Sequence, residues 1–552
     1  MGKKSKRVRS GGDRPAQARR SVDCGGPTEA EEETAANLRF EDPFADEFEG
    51  EVVADLDGGE EEEDAEKHLA VDGGEGAGKG GEGGGGVRAW NPLSSDPLPP
   101  GEELEVDESA YKMRHALRPE WPALSFDFLG DDLGSNRTRF PHTALVAVGS
   151  QADRPERNSL TVMRLSDLGR TGYVRTREQE DDEYLGEEYD RDDDEDGEDD
   201  DDVFDLDPVV EPYSLPHPSG GINRVRSMPQ HPEVVATWSE AGSVSLYDVG
   251  GVLDAFGRSS GGGGGGEGRK IRRDPFLVYS GHETEGYAMD WSPVKAGRMA
   301  TGDCAGGIHI WEPAEGMEGG GGGRGGRPTQ WSSVSFTVTS TYAATGGINL
   351  DNPSVEDVQW SPTEATVFAT AECGGYVRVY DVRCRDRPMI TSRIHPTGAD
   401  VNVLAWNGHV SNLLATGGDD GMLSVWDLRN FRPGGAGGGG DGDGDAPAPL
   451  ARFTAHRNPI TGLEWHPTDE SMLAVSDEAG AYIYDLSIEE DEPQDGGAGE
   501  GAGGGDGELP PQLLFVHCGS ESVKEVHWHP QVASMVMTTA LSGFSLFIPS
   551  NL

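Results

Sequence analysis

Residues 400–428, DVNVLAWNGHVSNLLATGGDDGMLSVWDL, decide the fold. Three short apolar runs alternate with turn residues, and Trp406 and Trp426 end the first and third runs. Four other segments repeat this pattern with nearly the same separation between the two aromatics. Their aromatic pairs are Trp291 and Trp311, Trp360 and Tyr380, Trp465 and Tyr484, and Trp528 and Phe547. A sixth copy begins at Ile222 and has Met228 in place of the first aromatic, and a weaker seventh pair of strands begins at Thr143 and Ser159.

The spacing inside each copy is nearly constant, whereas the spacing between copies is not. The first tryptophans of successive copies follow one another at unequal intervals, and the excess falls in glycine runs and polar stretches. The shortest interval, from Trp360 to Trp406, is close to the ~40–45 residues of a WD-repeat blade. We therefore predict an all-β, seven-bladed β-propeller with loop insertions. The stretch WPALSFDFL from Trp121 is the best candidate for a strand that completes the seventh blade beside the end of the chain.

The blades of such propellers are held by a hydrogen-bond network of His, Ser or Thr, Asp and Trp. The pattern is most complete in the quoted copy, and the other copies have Ala241, Ala305, Gly374 or Glu478 at the position of the turn acid. We predict a structural role, not a chemical one, for the residues of this network, which are His395, Thr416, Asp420 and Trp426.

The charge is strongly negative and unevenly distributed. The 552 residues carry a formal net charge of −55, and residues 178–211 alone contain 21 acids and one base. Such blocks stay solvated, attract cationic partners and repel nucleic acid and anionic membranes. We predict that these blocks bind a basic protein. The alternative is that they act only as solubilising spacers. The acids singled out for partner binding lie in RDDDEDGEDDDD, residues 191–202, and are Asp192, Asp193, Asp194, Asp199, Asp200, Asp201 and Asp202.

The first twenty residues contain eight bases and one acid, with no apolar segment behind them. This pattern excludes a secretory signal and favours a nuclear import signal over a merely solvated tail. No apolar run is long enough to span a membrane. The five cysteines show no CxxC spacing, which suits a reducing compartment and argues against disulfides or a zinc module.

Three motifs resemble chemical sites and are better explained otherwise. GGEGAGKG ends in Gly80 where a phosphate-binding loop needs Ser or Thr. The acidic run has Val203 where a calcium loop needs its bidentate Glu. In HWHP, His527 and His529 suggest a metal site with Cys518, but histidines at a blade rim are commoner. We therefore predict no enzyme, no cofactor and no metal.

A short helix is predicted before the ring, in DESAYKMRHALRPEWPALSFDFL. It would begin at Asp107 or Ser109 and end before Pro119. It either packs on the side of the propeller or forms a groove for a partner helix. The predicted organisation is a disordered tail (1–105), helix, strand and first blade (106–172), a disordered acidic insert (173–212) and the remaining blades with glycine-rich loops (213–552).

Several long motifs resemble the glutamate-rich WD-repeat family, among them GGINRVR, GRMATGDCAGGIHIW and PPQLLFVHCGSESVKEVHWHP. The resemblance runs in order from about residue 109 to 547. It implies a monomeric nuclear and nucleolar factor in large-subunit (60S) ribosome assembly that binds a newly made large-subunit ribosomal protein, and pre-ribosomal particles only indirectly. The family is similar to retinoblastoma-associated histone-binding WD proteins, which implies core histones as partners. The histone groove would then fall on Tyr111, Leu117, Trp121 and Pro122.

A rival function comes from VWDLR and VYDVR at two blade ends. These resemble the signature by which some WD proteins dock on the adaptor of a cullin-four ubiquitin ligase. The contact residues would be Asp427 and Arg429, with Asp381 and Arg383 in the preceding copy. The protein would then be a substrate receptor.

Overall fold

The strands form a closed ring of seven four-stranded antiparallel sheets, which confirms the seven-bladed propeller. The computed structural model describes residues 93, 106–171, 207–259, 270–314, 331–344, 353–385, 387–395, 398–431, 447–488 and 509–552. Most of the segments predicted to be disordered lie outside these residues. Within the described part, no helix combines the length and apolar character needed to cross a membrane.

The strands are numbered in chain order, and each blade is given from its inner to its outer strand. Blade 1 contains β2 (Phe126–Leu129), β3 (His142–Gly149), β4 (Ser159–Leu168) and β5 (Val209–Pro216). Blade 2 contains β6 (Ile222–Met228), β7 (His231–Ser239), β8 (Val244–Asp248) and β9 (Leu277–Tyr279). Blade 3 contains β10 (Ala288–Trp291), β11 (Met299–Gly302), β12 (Gly307–Pro313) and β13 (Phe336–Ala343). Blade 4 contains β14 (Val355–Trp360), β15 (Val367–Glu372), β16 (Tyr376–Asp381) and β17 (Ile390–Arg393).

The remaining blades complete the ring. Blade 5 contains β18 (Val401–Trp406), β19 (Leu413–Gly418), β20 (Leu423–Asp427) and β21 (Ala451–Phe453). Blade 6 contains β22 (Ile460–Trp465), β23 (Met472–Asp477), β24 (Gly480–Asp485) and β25 (Leu513–Cys518). Blade 7 contains β26 (Val523–Trp528), β27 (Val536–Ala540), β28 (Gly543–Pro549) and, from the other end of the chain, β1 (Tyr111–Leu117).

The repeated aromatics fill the spaces between blades. Trp291 and Trp311 of blade 3 pack in one buried cluster with Trp238 and Met228 of blade 2. Met228 is fully buried, so it fills the place of the missing first aromatic in its copy. Burying a side chain of this size contributes about 1.5–3 kcal/mol. Each blade therefore depends on its neighbours for a core.

The ring is closed by β1, which corrects the predicted N-terminal helix. Asp107 does cap a helical turn, but this 3-10 helix covers only Glu108–Ala110, and the chain then continues as a strand beside β28. Alternate side chains of β1 are buried, with Met113 completely inside. Pairing with β28 satisfies the backbone and buries this face, which an isolated short helix cannot do.

Two predicted boundaries also move. Within the stretch from Trp121, Phe126–Leu129 is the first strand of blade 1 and does not complete blade 7. Strand β5 begins at Val209, inside the range predicted for the acidic insert. The closing strand therefore lies upstream of the predicted candidate, and the insert ends earlier.

The described helices are short and lie outside the sheets. The α-helix, α1 (Gly250–Ser259), follows β8, and Val252 packs in a buried cluster that also contains residues of blade 1. Besides the turn before β1, 3-10 helices cover Pro155–Arg157, Trp331–Ser333 and Leu428–Asn430. Of these, Trp331–Ser333 adds a buried tryptophan to the core cluster of blades 2 and 3.

The antiparallel order gives the ring two unlike faces. Connections between first and second strands, and between third and fourth strands, leave and re-enter the sheets on one face, and all others do so on the opposite face. The third-to-fourth connections include residues 169–208, 249–276, 314–335, 428–450 and 486–512, so we call this side the long-loop face. On the opposite, short-loop face the longest connection is residues 344–354. The glycine runs at 261–266, 319–323, 437–440 and 503–505 all fall within connections of the long-loop face.

Candidate partner-binding site

The acidic insert is attached to the ring at the seam between blades 7 and 1. After β4 the chain crosses to the outer edge of β1, where the N–H of Thr171 donates to the Lys112 carbonyl at 3.2 Å. The N–H of Arg114 donates to Oγ1 of Thr171 at 2.8 Å, and Nε2 of His115 lies 3.2 Å from the Gly169 carbonyl oxygen. The chain returns as β5, the outer strand of blade 1. Both ends of the insert are therefore anchored on the long-loop face, across the seam.

The aspartates predicted to bind the partner, from Asp192 to Asp202, lie outside the described residues. The return strand carries an ion pair, with Nη1 of Arg164 at 3.0 Å from Oε2 of Glu211. Val209 and Val210, at the start of that strand, are exposed. Two exposed apolar residues therefore follow the insert in the chain.

The residues predicted to form a histone groove do not share one surface. Tyr111 is buried at the long-loop end of β1, and its hydroxyl is 2.8 Å from Nδ1 of His517. Leu117, at the other end of β1, packs beside the core cluster of blades 7 and 1. Trp121 and Pro122 follow on the short-loop face, where the Arg157 guanidinium lies 5.8 Å from the Trp121 ring centre. A strand of this length separates its ends by about 20 Å, so the four residues do not line one groove.

The structure brings the predicted blade network together in two pairs. Nδ1 of His395 lies 3.0 Å from both carboxylate oxygens of Asp420. Trp426 donates its Nε1–H to Oγ1 of Thr416 at 2.8 Å. The first pair joins the loop before blade 5 to the turn between its second and third strands, and the second pair joins those two strands. The arrangement is structural.

A more extensive network lies in blade 3, where the sequence pattern missed it. His282 contacts Asp303 through Nδ1 and Thr301 through Nε2, both at 2.8 Å, and Trp311 donates to Thr301 at 2.8 Å. The acid stands at Asp303, not at the turn position occupied by Ala305. Asp303 also accepts the N–H of Gly307 at 2.7 Å, so it caps the turn at the same time. The shifted position explains why the network in residues 400–428 looked the most complete.

The two Asp–Arg pairs of the rival function are formed, with exposed arginines and largely buried aspartates. Nε of Arg429 lies 2.9 Å from both carboxylate oxygens of Asp427, and Arg383 contacts Asp381 in the same way. The Arg429 side chain is 74% exposed although it is paired. Hydrogen bonds from Arg429 hold the pKa of Asp427 below its usual range. Both pairs lie at the long-loop face.

The central channel holds a buried charge cluster that the sequence pattern did not reveal. Glu525, 3% exposed, accepts hydrogen bonds from Arg224 and Arg226 at 2.8 Å each and from the N–H of Phe126 at 2.9 Å. Nε2 of His527 is 3.3 Å from the same carboxylate, and its Nδ1 is 2.8 Å from Oε2 of Glu464. The cluster joins blades 2, 6, 7 and 1, and so it spans the seam from inside the ring.

Inner-strand side chains also bind each blade to the next. Besides the contact of Glu525 with Phe126, a carboxylate accepts a backbone N–H from the following inner strand in four places. The pairs are Asp127 with Ser227 at 2.6 Å, Asp290 with Trp360 at 2.7 Å, Asp357 with Leu404 at 3.1 Å and Glu464 with Trp528 at 3.0 Å. Burial raises the pKa of Asp290 to about 8, although the Trp360 N–H and Arg226 favour its ionised form.

The histidines of HWHP contact other groups of the protein. His529 accepts the N–H groups of Gln531 and Val532 at 3.0 Å each. Burial lowers the pKa of His529 to about 3. Among the described residues, no cluster of three or more His, Cys, Asp or Glu side chains has a geometry that could hold a metal ion.

His527 makes stability depend on pH. Burial alone would lower its pKa, but Glu525 and Glu464 outweigh burial and raise it to about 9. Because the folded pKa lies above the unfolded value of about 6.5, this contribution is fully present below pH ~6.5 and is lost as pH rises through ~9. We expect the free energy of unfolding to fall by about 3 kcal/mol over this range, as measured by urea unfolding.

Two variants isolate this effect. His527→Gln should largely abolish the decrease in unfolding free energy at alkaline pH. The raised pKa of Asp290 also makes the folded protein less stable as pH rises, because the ionised carboxylate is disfavoured in the fold. That decrease in unfolding free energy is complete by about pH 8, and Asp290→Asn should remove it. An unchanged alkaline loss in His527→Gln would exclude His527 as its source.

Comparison with known proteins agrees with this architecture. A family model described as "Histone-binding protein RBBP4", or the corresponding component of the CAF1 complex, matches residues 101–168. A model described as "WD domain, G-beta repeat" matches residues 388–427 and 447–485. The first match covers the ring-closing strand and most of blade 1, and the second covers parts of blades 4, 5 and 6.

Three relatives match most of the chain. "Protein HEAT STRESS TOLERANT DWD 1" of Arabidopsis thaliana is 38% identical, over 84% of this chain and 92% of the relative. "Glutamate-rich WD repeat-containing protein 1" of Dictyostelium discoideum is 36% identical, over 83% and 84%. "Ribosome assembly protein rrb1" of Schizosaccharomyces pombe is 34% identical, over 81% and 82%. "Histone-binding protein MSI1" of Saccharomyces cerevisiae is more distant, at 22% identity over 67% of this chain and 79% of its own length.

Proposed function

Because the chain belongs to the glutamate-rich WD-repeat family, we propose that it is a non-enzymatic chaperone of basic proteins in large ribosomal subunit assembly. Its client is a newly made large-subunit ribosomal protein, and core histones are a second class of client. The protein acts in the nucleus, and specifically in the nucleolus, as a monomer. The names of the relatives support an assembly role and a histone-binding relationship.

The observation that carries this proposal is the anchoring of the acidic insert. Residues 178–211 have a net charge of −20, and contacts of Thr171 with β1 on one side and strand β5 on the other fix the ends of the segment to the ring. A solubilising spacer needs no such attachment. An anchored polyanion beside a rigid surface holds a cationic client near the ring and competes with nucleic acid for it.

The expected binding mode follows from the energetics of exposed charges. Each exposed pair contributes only about 0–1 kcal/mol, so affinity comes from many weak contacts. The Debye length shortens from about 10 Å at 0.1 M salt to about 3 Å at 1 M salt, which weakens these contacts. Client affinity should therefore fall steeply with salt.

The test compares the full chain with a variant in which the acids of residues 190–202 are replaced by Ser and Gly at unchanged length. Binding of purified core histones and of a large-subunit ribosomal protein fraction is measured by fluorescence anisotropy at low and moderate salt. We expect the variant to lose about tenfold or more in affinity at low salt and to lose most of the salt dependence. Equal affinities of the two proteins would reject the insert as the client-binding element.

A second candidate function, substrate receptor of a cullin-four ligase, is favoured by the exposed arginines of the Asp427–Arg429 and Asp381–Arg383 pairs. Arg429→Ala leaves the acidic insert untouched and separates the two functions. Under the chaperone proposal this variant keeps its affinity for basic clients. Loss of a ligase adaptor from Arg429→Ala, together with unchanged client affinity in the insert variant, would favour the ligase function.

A further inference from the structure

A cavity of about 410 Å³ opens on the long-loop face at the mouth of the central channel. The inner strands and first-to-second connections of blades 1, 2, 6 and 7 surround it. Phe128, Met228 and Trp528 supply apolar wall, and four prolines complete it. The proline rings restrict the backbone, so the rim is preformed. The four are Pro229, Pro232, Pro467 and Pro530.

The side-chain donors around this cavity are already used within the protein. Nδ1 of His527 lies 2.8 Å from Oε2 of Glu464, and its Nε2, 3.3 Å from Glu525, is buried away from the surface. Ser227 donates its hydroxyl to Asp127 at 2.9 Å, and Gln531 donates its amide to the Asp131 carbonyl at 2.8 Å. The four prolines have no N–H. A ligand that needs hydrogen-bond donors from the wall finds few here.

Two carboxylate oxygens in the cavity lining remain as hydrogen-bond acceptors. Oδ2 of Asp127 accepts from Ser227, and Oε2 of Glu464 accepts from His527 and Trp528. In the described part of the chain, Oδ1 of Asp127 and Oε1 of Glu464 accept no hydrogen bond from any residue. The cavity therefore combines apolar walls with two open carboxylate oxygens, which suits a ligand with an aliphatic stem and a cationic donor at its end.

We propose that this cavity binds an arginine or lysine side chain of a basic client. The stem packs against Phe128 and the prolines, and the charged end donates to Asp127 and Glu464. This site rests on the proposed chaperone function and gives the client an ordered anchor on the same face as the acidic insert. The distribution of exposed apolar groups favours this face, because among the ten large apolar side chains exposed in the described residues only Leu541 lies on the short-loop face.

Two glycine positions allow a substitution that blocks the cavity and a matched control substitution. A Cβ at Gly130, on the cavity wall, would meet Pro232 at 3.6 Å and Gln531 at 3.8 Å, which are ordinary contacts. A side chain can therefore branch from residue 130 without a close contact at its Cβ, and we expect Gly130→Trp to fill the cavity. Gly408 also lies in a first-to-second connection, in blade 5, and no atom lies within 4 Å of its Cβ position. Gly408→Trp adds the same side chain to the same face away from the cavity.

The probe is a fluorescent peptide of alternating arginine and glycine, and its partner contains citrulline in place of arginine. Each is titrated into the full chain at low salt and at about 0.5 M NaCl, where the insert is screened. We expect Gly130→Trp to weaken arginine-peptide binding about tenfold at the higher salt and Gly408→Trp to leave it unchanged. The citrulline peptide should bind the intact cavity at least about tenfold less tightly. Thermal unfolding of both variants establishes that they are folded.

The outcomes separate the cavity from the proposed function. Equal affinity of Gly130→Trp and the intact protein at the higher salt would overturn the cavity site, while the insert variant tests the chaperone proposal independently at low salt. A second readout is the methyl resonance of Met228 in methionine-labelled protein, which should shift on addition of the arginine peptide. If deletion of residues 1–20 shifts that resonance with no peptide present, the basic N-terminal segment occupies the cavity and the assignment to a client is wrong.

Discussion

Replacing Glu525 with glutamine is expected to lower the free energy of unfolding by about 3–5 kcal/mol. The carboxylate is 3% exposed and is the shared partner of Arg224, Arg226 and His527. Removing its charge leaves three largely buried cations in the channel without their common counter-ion. Burial alone would raise the pKa of Glu525, but these cations outweigh burial and hold it well below its usual range, so the fold strongly favours the ionised form. Denaturant unfolding at neutral pH measures the loss.

Glu211→Gln is the matched control. Glu211 also pairs with an arginine between strands, but its side chain is 33% exposed, and among the described residues Arg164 is its single charged partner. A pair of this kind contributes about 0–1 kcal/mol. A loss from Glu525→Gln no larger than the loss from Glu211→Gln would show that the channel cations find other partners.

Replacing Met113 with aspartate is expected to cost about 4 kcal/mol or more, enough to open the ring. Met113 is fully buried in the core cluster shared by blades 7 and 1, and β1 is the strand that completes blade 7. An unpaired carboxylate there either remains buried at high cost or drives β1 away from β28. Loss of soluble, cooperatively unfolding protein, followed by circular dichroism, is the predicted result.

Ala116→Asp introduces the same charge on the exposed side of the same strand. It should change the unfolding free energy by about 0.5 kcal/mol or less. If both aspartate variants unfold like the unmodified chain, β1 does not close the ring.

The blades were predictable from sequence because their cores repeat. In five copies an aromatic ends the first and the third strand and packs between blades, so the separation between the two aromatics survives any insertion in the loops. Insertions in the third-to-fourth connections leave this separation unchanged, although described residues of those connections, such as Val252 and Trp331, also pack in the core. Blade number and class of fold follow from these two facts.

Strand β1 was mispredicted because local signals and tertiary pairing disagree. Asp107 and Pro119 indicated the ends of a helix, and the first does cap a single turn. The alternation of buried Tyr111, Met113 and His115 has the period of a strand, and a partner from the far end of the chain makes it one. Sequence proximity gives no information about such a partner.

The channel cluster was missed for a related reason. Its members lie on inner strands of different blades, and no local motif joins Arg226 to Glu525. A usable signal existed in the residue before the first aromatic of several copies, as in Asp290, Glu464 and His527. Polar residues at that position contact the next blade or the channel cluster. Their presence in the sequence therefore indicates contacts between blades.

Ring closure by the two ends of the chain also sets the mechanical behaviour of the molecule. Tyr111 lies opposite Pro549, and Leu117 lies opposite Phe544, so the first residue of β1 and the last residue of β28 sit side by side. Tension applied between the two ends of the chain would not load all the cross-strand bonds at once. It would separate β1 from β28 one residue at a time, starting at Tyr111. The pairing of these two strands is therefore the weakest point of the ring under force.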